Sequence, residues 1–551
     1  MKLQIIDNGL EKHGEVLRAQ ISRRIPAAFD GGMPVTLAID PALGAESYRV
    51  DAATPGWQIT GGDPAGLYFG IGKFLHAAKW SDTDFTPVPT NGTVSPDCPF
   101  RMIYFALHFY NWYHMASEAE LREYMLEMML WGYNSVITIV PVVTAAGEDD
   151  PDLNRQVDKV RAVFRVAAEL ELKKGLIFIP NEGFTTAPQA FSGTPNFDPL
   201  HMRGDIGRNL CLSLPGAVEY MKKLLTGLLG KFRDTKPDYV MSWPYDEGGC
   251  NCENCRPWGA NGYLRGVNLL RECVRETIGD AKFVISTWAF DEPEGQGEFA
   301  GLFQALKDGK VSADYVMVDS HDAFPAYPLS HKCPVPVVNF PEISMWKLYP
   351  WGGLGATPMP RRFDGFWQSS KAVLSGGMPY SEGIYEDITK IQCVGYYWNK
   401  NADWRETLSE YISYEVDADA VAPVLEMIDC LEKNHLAAAK EAEPDIAAAC
   451  RAEELARHVQ ATLSKRGQKA WRWRLLYARG VLDGKRHRAY AARGMHGAED
   501  VKYLRRFSGK LLEHDEEAQE LFRELFALYH CVPHNGNNKW TLVPVNGEVY
   551  L

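Results

Sequence analysis

Apolar and polar positions change their period twice along the chain, giving three zones. Residues 2–6, 34–40, 47–51 and 56–60 are short runs of strand-favouring residues, and 10–25 carries apolar residues at helical spacing. Asp63 then stands where an N-cap belongs, ahead of a helix expected over 64–78, and a proline-rich connector occupies 85–99. From about 100 to 401 apolar runs alternate with helix-periodic segments. Eight runs predict strands, at 102–109, 135–140, 175–180, 239–243, 282–288, 315–319, 335–340 and 377–381. Segments 118–131, 156–172, 215–232 and 264–278 predict helices between several of them. Eight strands, each running into a polar loop, predict a (β/α)8 TIM barrel. An open doubly wound sheet is the alternative, but no Gly-x-Gly-x-x-Gly follows a strand here. The third zone is rich in Ala, Glu, Leu and Arg and has no proline between Asp445 and Val532, which predicts helices. The expected organisation is therefore a small α/β domain over 1–95, the barrel over 100–415 and a helical C-terminal domain over 416–551.

Composition narrows the function. The 551 residues carry 58 Lys+Arg against 71 Asp+Glu, a net charge of −13. That field argues against nucleic-acid and membrane-surface partners, which require positive charge. The basic stretch 465–488, with Trp471 and Trp473 inside it, reads as a packed helix with its charged face in water. The first residues reach Lys2 and Asp7 without an apolar stretch of signal length, and the eleven Cys are an odd number. Both lead to the expectation of a cytoplasmic protein with mostly reduced thiols. The C-terminal helices could supply an interface between copies.

A barrel carries its reactive groups at the C-terminal ends of the strands. Those ends read Asn181-Glu182 after the third strand, Asp246-Glu247 after the fourth, and Trp288 after the fifth. The sixth gives Asp319, His321 and Asp322, the seventh Glu342 and Trp346, and the eighth Glu382 and Glu386. Aromatic residues, among them Trp243 and Tyr245, adjoin these carboxylates. Flat rings beside carboxylates suit a sugar, whose C–H faces stack on rings and whose hydroxyls need acceptors. Glycosidic cleavage needs a proton donor and a second carboxylate, and an adjacent Asp-Glu leaving a strand can place both in one cleft. Two other readings fit parts of the pattern. One is a non-catalytic carbohydrate-binding barrel; the other is a metal-dependent hydrolase with Asp319, His321 and Asp322 as ligands.

Several stretches carry a family resemblance. Tyr48-Arg49-Val50 through Gly66-Leu67-Tyr68-Phe69-Gly70, ahead of a barrel, resembles the small domain of glycoside hydrolase family 20 β-hexosaminidases and of bacterial α-glucuronidases. Asp246-Glu247 is similar to the Asp-Glu pair at the fourth strand of the hexosaminidases. Glu382-Gly383 through Trp398, followed by helices, looks like the end of the barrel in relatives of these glycosidases. The resemblance covers roughly 45 to 415. It implies an exo-acting enzyme on an oligosaccharide or glycoside, with Glu247 as general acid/base and no catalytic cofactor. Asp246 would orient a substrate N-acetyl group that attacks the anomeric carbon. The remaining strand-end residues, Glu182, Trp243, Tyr245, Trp288, Asp319, His321, Asp322, Glu342, Trp346, Glu382 and Glu386, would bind the sugar. The His-x-Gly-Gly that precedes the pair in that family is Trp243-Pro244-Tyr245 here, so the glycosidase class is carried further than the N-acetyl specificity. The α-glucuronidase likeness implies inversion instead, with the base supplied across the barrel by Glu342 or Glu382.

Cys250-x-Cys252-x-x-Cys255 follows the Asp-Glu pair directly. Three thiols in six residues suit a tetrahedral soft-metal site that takes its fourth ligand from elsewhere. Cys211, in the loop after the third strand, lies next door in a barrel. A structural Zn²⁺, reduced thiols without metal, and a disulfide are the arrangements such a set allows.

Overall fold

The computed structural model describes residues 1–107, 111–194, 209–245, 249–292, 295–320, 323–343, 356–439, 442–494, 512 and 514–530. The N-terminal region forms a four-stranded sheet from β1 (Lys2–Ile6), β2 (Ala28–Ile39), β3 (Tyr48–Ala52) and β4 (Trp57–Gly61), in the order β1-β2-β4-β3. The first three pairings in space are parallel, parallel and, between β4 and β3, antiparallel. Alternate residues Leu3, Ile5, Val35, Leu37 and Val50 turn inward to the helices Glu11–Ser22 and Pro64–His76. Asp63 caps that helix by accepting from the Gly66 N–H at 2.7 Å. A short hairpin of β5 (Lys79–Trp80) and β6 (Phe85–Thr86) follows.

The barrel strands are β7 (Phe100–Phe105), β8 (Ser135–Ile139), β9 (Lys173–Phe178), β10 (Tyr239–Ser242), β11 (Lys282–Ser286), β12 (Tyr315–Ser320), β13 (Val337–Pro341), β14 (Leu374–Gly377) and β15 (Tyr380–Ser381). All pair in parallel, and both β14 and β15 return to β7 and close the ring. The eighth position, expected as one strand over 377–381, is thus two short ones. Pro379 lacks the N–H that a continuous ladder would require there. Gly376 makes the turn into this break at φ +128, with its Cα against the Phe100 carbonyl, a place where a Cβ would collide. The first strand stops at Phe105, short of the expected 109, and residues 108–110 lie outside those described.

The strands read as unbroken apolar runs because both faces are covered. One alternate set fills the barrel: Phe100, Met102, Tyr104, Ile137, Ile177, Tyr239, Met241, Val284, Met317, Val338 and Phe340. The other set, including Ile103, Val136, Leu176, Val240, Ile285 and Val316, packs against the helices. Aromatic rings stack in two levels inside. Phe100, Tyr239 and Tyr315 form the lower level, and Tyr104, Trp243, Trp288, Phe340 and Tyr380 the upper one, toward the strands' C-terminal ends.

Beyond the barrel the chain is helical, with Trp404–Glu415, Val421–Ala439, Ile446–Thr462, Trp471–Ala492 and Glu516–Tyr529 as its main helices. The expectation that 465–488 turns its charges to water is corrected here. Arg472, Arg479 and Arg486 are buried, and Arg472 pairs with Asp387 at 2.7 Å, Glu127 at 2.9 Å and Glu415 at 3.5 Å. These acidic partners come from three other helices, so Arg472 is drawn inward as a bridge between the barrel and the C-terminal region. Among the described residues no helix is long and apolar enough to cross a membrane.

Candidate active site

The C-terminal mouth of the barrel gathers the strand-end residues above the upper aromatic level. Trp243 and Trp288 lie 5.4 Å apart at 30°, and each meets Phe340 edge-on at 5.3 and 5.5 Å. Tyr380 joins them through Phe340 and Tyr104. The indole N–H of Trp243 is buried and has no acceptor among the described residues. Asp319, the last residue but one of β12, is a buried carboxyl. Asp246, Glu247, His321, Asp322 and Trp346 lie outside the described residues.

Two of the expected binding residues hold loops. Glu182 accepts from the Val142 and Val143 N–H groups at 3.4 and 3.0 Å, tying the loop after β8 to the end of β9. Tyr245 donates its hydroxyl to Glu298, whose oxygens also accept from the Gly259 and Asp291 N–H groups at 2.7 and 2.8 Å. The residues flanking Asp246-Glu247 are fixed on both sides: Trp258 donates to the Pro244 carbonyl at 2.8 Å, and Asn209 to the Gly249 carbonyl at 2.9 Å.

The strongest concentration of carboxyls is at the seventh and eighth strands. Glu342, Glu382 and Glu386 are all buried, and Glu342 makes a backbone bridge to Tyr380. Glu382 accepts from the Tyr380 hydroxyl at 2.8 Å and from Tyr385 at 3.4 Å. Burial pushes its carboxyl up to about 8; the charges of Glu386 and Glu342 add to this, and the tyrosine hydrogen bonds oppose it. Burial thus keeps the Glu382 proton in place to higher pH than an exposed carboxyl would keep it. Between about pH 4.5 and 8 the folded chain keeps a proton that the unfolded chain has lost, so stability falls as pH rises. The expected slope from this group approaches about 1.4 kcal/mol per pH unit. Urea denaturation across that range checks it: Glu382→Gln loses this component, and a variant with the wild-type slope removes the assignment.

Glu386 is engaged differently. It accepts from Ser381 Oγ at 2.7 Å, from the Glu382 N–H at 2.9 Å and from the Gly383 N–H at 3.4 Å, and pairs with Lys390 at 3.3 Å. It holds the backbone that presents Glu382. Lys390 is wholly buried and also donates to Tyr113 and Tyr124 at 2.7 and 2.6 Å. The sequence reading missed Lys390, Tyr380 and Tyr104. Only the four-residue spacing of Glu386 and Lys390 at a helix start could have pointed to the first.

Cys211, Cys250, Cys252 and Cys255 come together as expected, their sulfurs all within 4.8 Å of one another, and the cluster could hold a metal. The Cys250 thiol is pulled down to about 4, chiefly by the hydrogen bond from Cys255, whose own thiol is pushed up by the same pairing.

No protein-family description matches the chain, and no curated protein matches it in sequence. Solved structures do match in shape. A family 115 4-O-methyl-α-glucuronidase with specificity for decorated arabinogalactans superposes with a TM-score of 0.60 at 9% identity, over 100% of this chain and 81% of that one. A Clostridium perfringens family 89 enzyme, in complex with its substrate GlcNAc-α-1,4-galactose, gives 0.59 at 11% identity, over 94% of this chain and 65% of that one. A family 20 β-N-acetylglucosaminidase gives 0.51 at 14% identity, over 75% and 93%. The expected likeness to hexosaminidase and α-glucuronidase barrels holds for the fold, and the chain is a TIM barrel of the architecture that these glycoside hydrolases share.

Proposed function

We propose that the protein is a glycoside hydrolase acting on an oligosaccharide or glycoside. The observation that carries this reading is the pair of buried carboxyls, Glu342 and Glu382, set beside the Trp243–Trp288–Phe340 layer at the mouth of the barrel. An aromatic floor accepts the apolar face of a sugar, and carboxyls at its edge take the hydroxyls. Protonated Glu382 donates to a sugar oxygen, and a Glu342 oxygen accepts from a hydroxyl. In the finer form of the proposal the enzyme is exo-acting and β-N-acetylhexosaminidase-like. Glu247 protonates the leaving oxygen, and Asp246 orients the acetamido group whose oxygen attacks the anomeric carbon. Two carboxyls suffice for this chemistry, so no catalytic cofactor is required. The metal that the four-thiol cluster could hold is taken to be a structural Zn²⁺ with no part in bond cleavage.

A second reading, an inverting α-glucuronidase-like enzyme, is favoured by one observation. Glu342 follows the seventh strand, distant in the ring from the fourth, where a general base for water belongs if the acid is at 247, whereas Glu382 holds its proton too tightly for that role. Chromogenic N-acetylglucosaminide, N-acetylgalactosaminide and glucuronide separate the readings. Hydrolysis of the first two, lost selectively in Asp246→Asn, supports the hexosaminidase form, and hydrolysis of the glucuronide supports the second. Sugar binding without turnover on any glycoside would make the barrel a carbohydrate-binding one and end the enzymatic proposal.

A further inference from the structure

We infer that Cys211, Cys250, Cys252 and Cys255 form a closed tetrathiolate site for one Zn²⁺, which clasps the loops that follow β9 and β10. The inference stands apart from the catalytic reading and rests on the cluster's own geometry. A tetrahedral ion with Zn–S bonds of about 2.3 Å sets its sulfurs about 3.8 Å apart. Here Cys211 Sγ lies 3.6 Å from Cys255 Sγ and 3.8 Å from Cys252 Sγ, and every pair in the set is within 4.8 Å. A disulfide requires a sulfur separation of about 2.05 Å and would leave two thiols over. All four are free cysteines. A multinuclear iron–sulfur cluster would spread its thiolates farther apart than these edges, whereas a single soft-ligand tetrahedron fits zinc.

Polar groups surround the sulfurs. The Thr194 N–H donates to Cys250 Sγ at 3.2 Å, the Arg265 guanidinium to Cys255 Sγ at 3.6 Å, and Ser213 Oγ lies 2.8 Å from Cys211 Sγ. Four thiolates around a dication leave two negative charges, and one cation with oriented N–H and O–H donors offsets part of that excess. Cys211, Cys250 and Cys255 are buried and Cys252 is half-buried, so all four positions are taken by protein and none is left for an activated water. The role is structural.

The ion would clasp two loops that already meet through their backbones. The Cys211 N–H bonds the Phe191 carbonyl at 2.8 Å and the Asn251 N–H bonds the Thr194 carbonyl at 2.9 Å, so the two loops already run together. Cys250 follows the Asp246-Glu247 pair by three residues, with Gly249 packed against Trp258 between them. A metal at the cluster anchors the chain on the exit side of that pair.

The test is metal analysis of the full-length protein purified without chelator. Equimolar zinc is expected, released by a mercurial in step with titration of four thiols. Replacement with Co²⁺ is expected to give the intense visible bands of a tetrahedral thiolate site. Cys252→Ser/Cys255→Ser is expected to lose the zinc and to melt at a lower temperature, while Cys430→Ser, outside the cluster, keeps both properties. If the double variant does not fold, the wild-type titration and the Co²⁺ spectrum still decide. Zinc-free protein with freely titrating thiols, zinc fully retained by the double variant, or iron in its place overturns the inference. Zinc-loaded protein that cleaves no glycoside removes only the catalytic reading, and active zinc-free protein removes only this one.

Discussion

Glu247→Gln is expected to lower the rate of glycoside cleavage by about two to four orders of magnitude for substrates with poor leaving groups. The substitution keeps the shape of the side chain and removes the proton that the leaving oxygen needs. Glycosides with good leaving groups need less protonation and lose less in the bond-breaking step. The neighbouring backbone is held independently of Glu247, by Tyr245 on Glu298, Trp258 on the Pro244 carbonyl and Asn209 on the Gly249 carbonyl. The variant is therefore expected to fold as the wild type does, and the loss reports chemistry. Steady-state kinetics on a leaving-group series provides the measurement. The buried Glu382 is the rival acid. If it donates the proton instead, Glu247→Gln stays near the wild-type rate, Glu382→Gln takes the loss, and activity declines above about pH 8 as Glu382 ionises.

Lys390→Met is expected to cost about 3–5 kcal/mol of stability. Glu386 and Lys390 both have 0% exposed side chains, and the methionine would leave the carboxylate without its cation in a site that water does not reach. Tyr113, Tyr124 and the Gly383 carbonyl would lose a donor as well. Activity is expected to fall with stability, because Glu386 is what holds the Glu382 and Gly383 N–H groups in place. Lys390→Met/Glu386→Gln removes both charges and is expected to recover part of the folding free energy. Denaturant titration of the single and double variants at one pH measures this. Equal stability of Lys390→Met and wild type would show that the pair does not carry the charge balance of this end of the barrel.

The links from this pair run on into the rest of the chain. Tyr124 donates to Asp387 at 2.9 Å, and Asp387 is also held by Tyr411 at 2.8 Å and by Arg472 at 2.7 Å. Tyr385, which touches Glu382, packs edge-on against Tyr529 of the last described helix at 5.8 Å. The C-terminal helices thus support the eighth strand end, where the sugar is proposed to sit.

The pattern of apolar runs is enough to specify the barrel. Parallel strands buried on both faces must be nearly continuous apolar runs, and eight of them separated by helix-periodic segments leave few other arrangements. It also determined the company of the four cysteines, because the third and fourth strands of a barrel are neighbours and their loops emerge side by side. The carboxyls at the strand ends were legible for the same reason. The division of labour among them emerges only once the chain is folded. Glu182 and Glu386 look like Glu342 and Glu382 in the sequence, yet Glu182 is spent on backbone N–H groups of the loop after β8 and Glu386 on those of its own turn and on Lys390. The break of the eighth strand at Met378-Pro379 and the inward turn of Arg472 were hidden likewise. Local pattern records how apolar a segment is, whereas the partner of a buried charge is fixed by which distant helix packs over it.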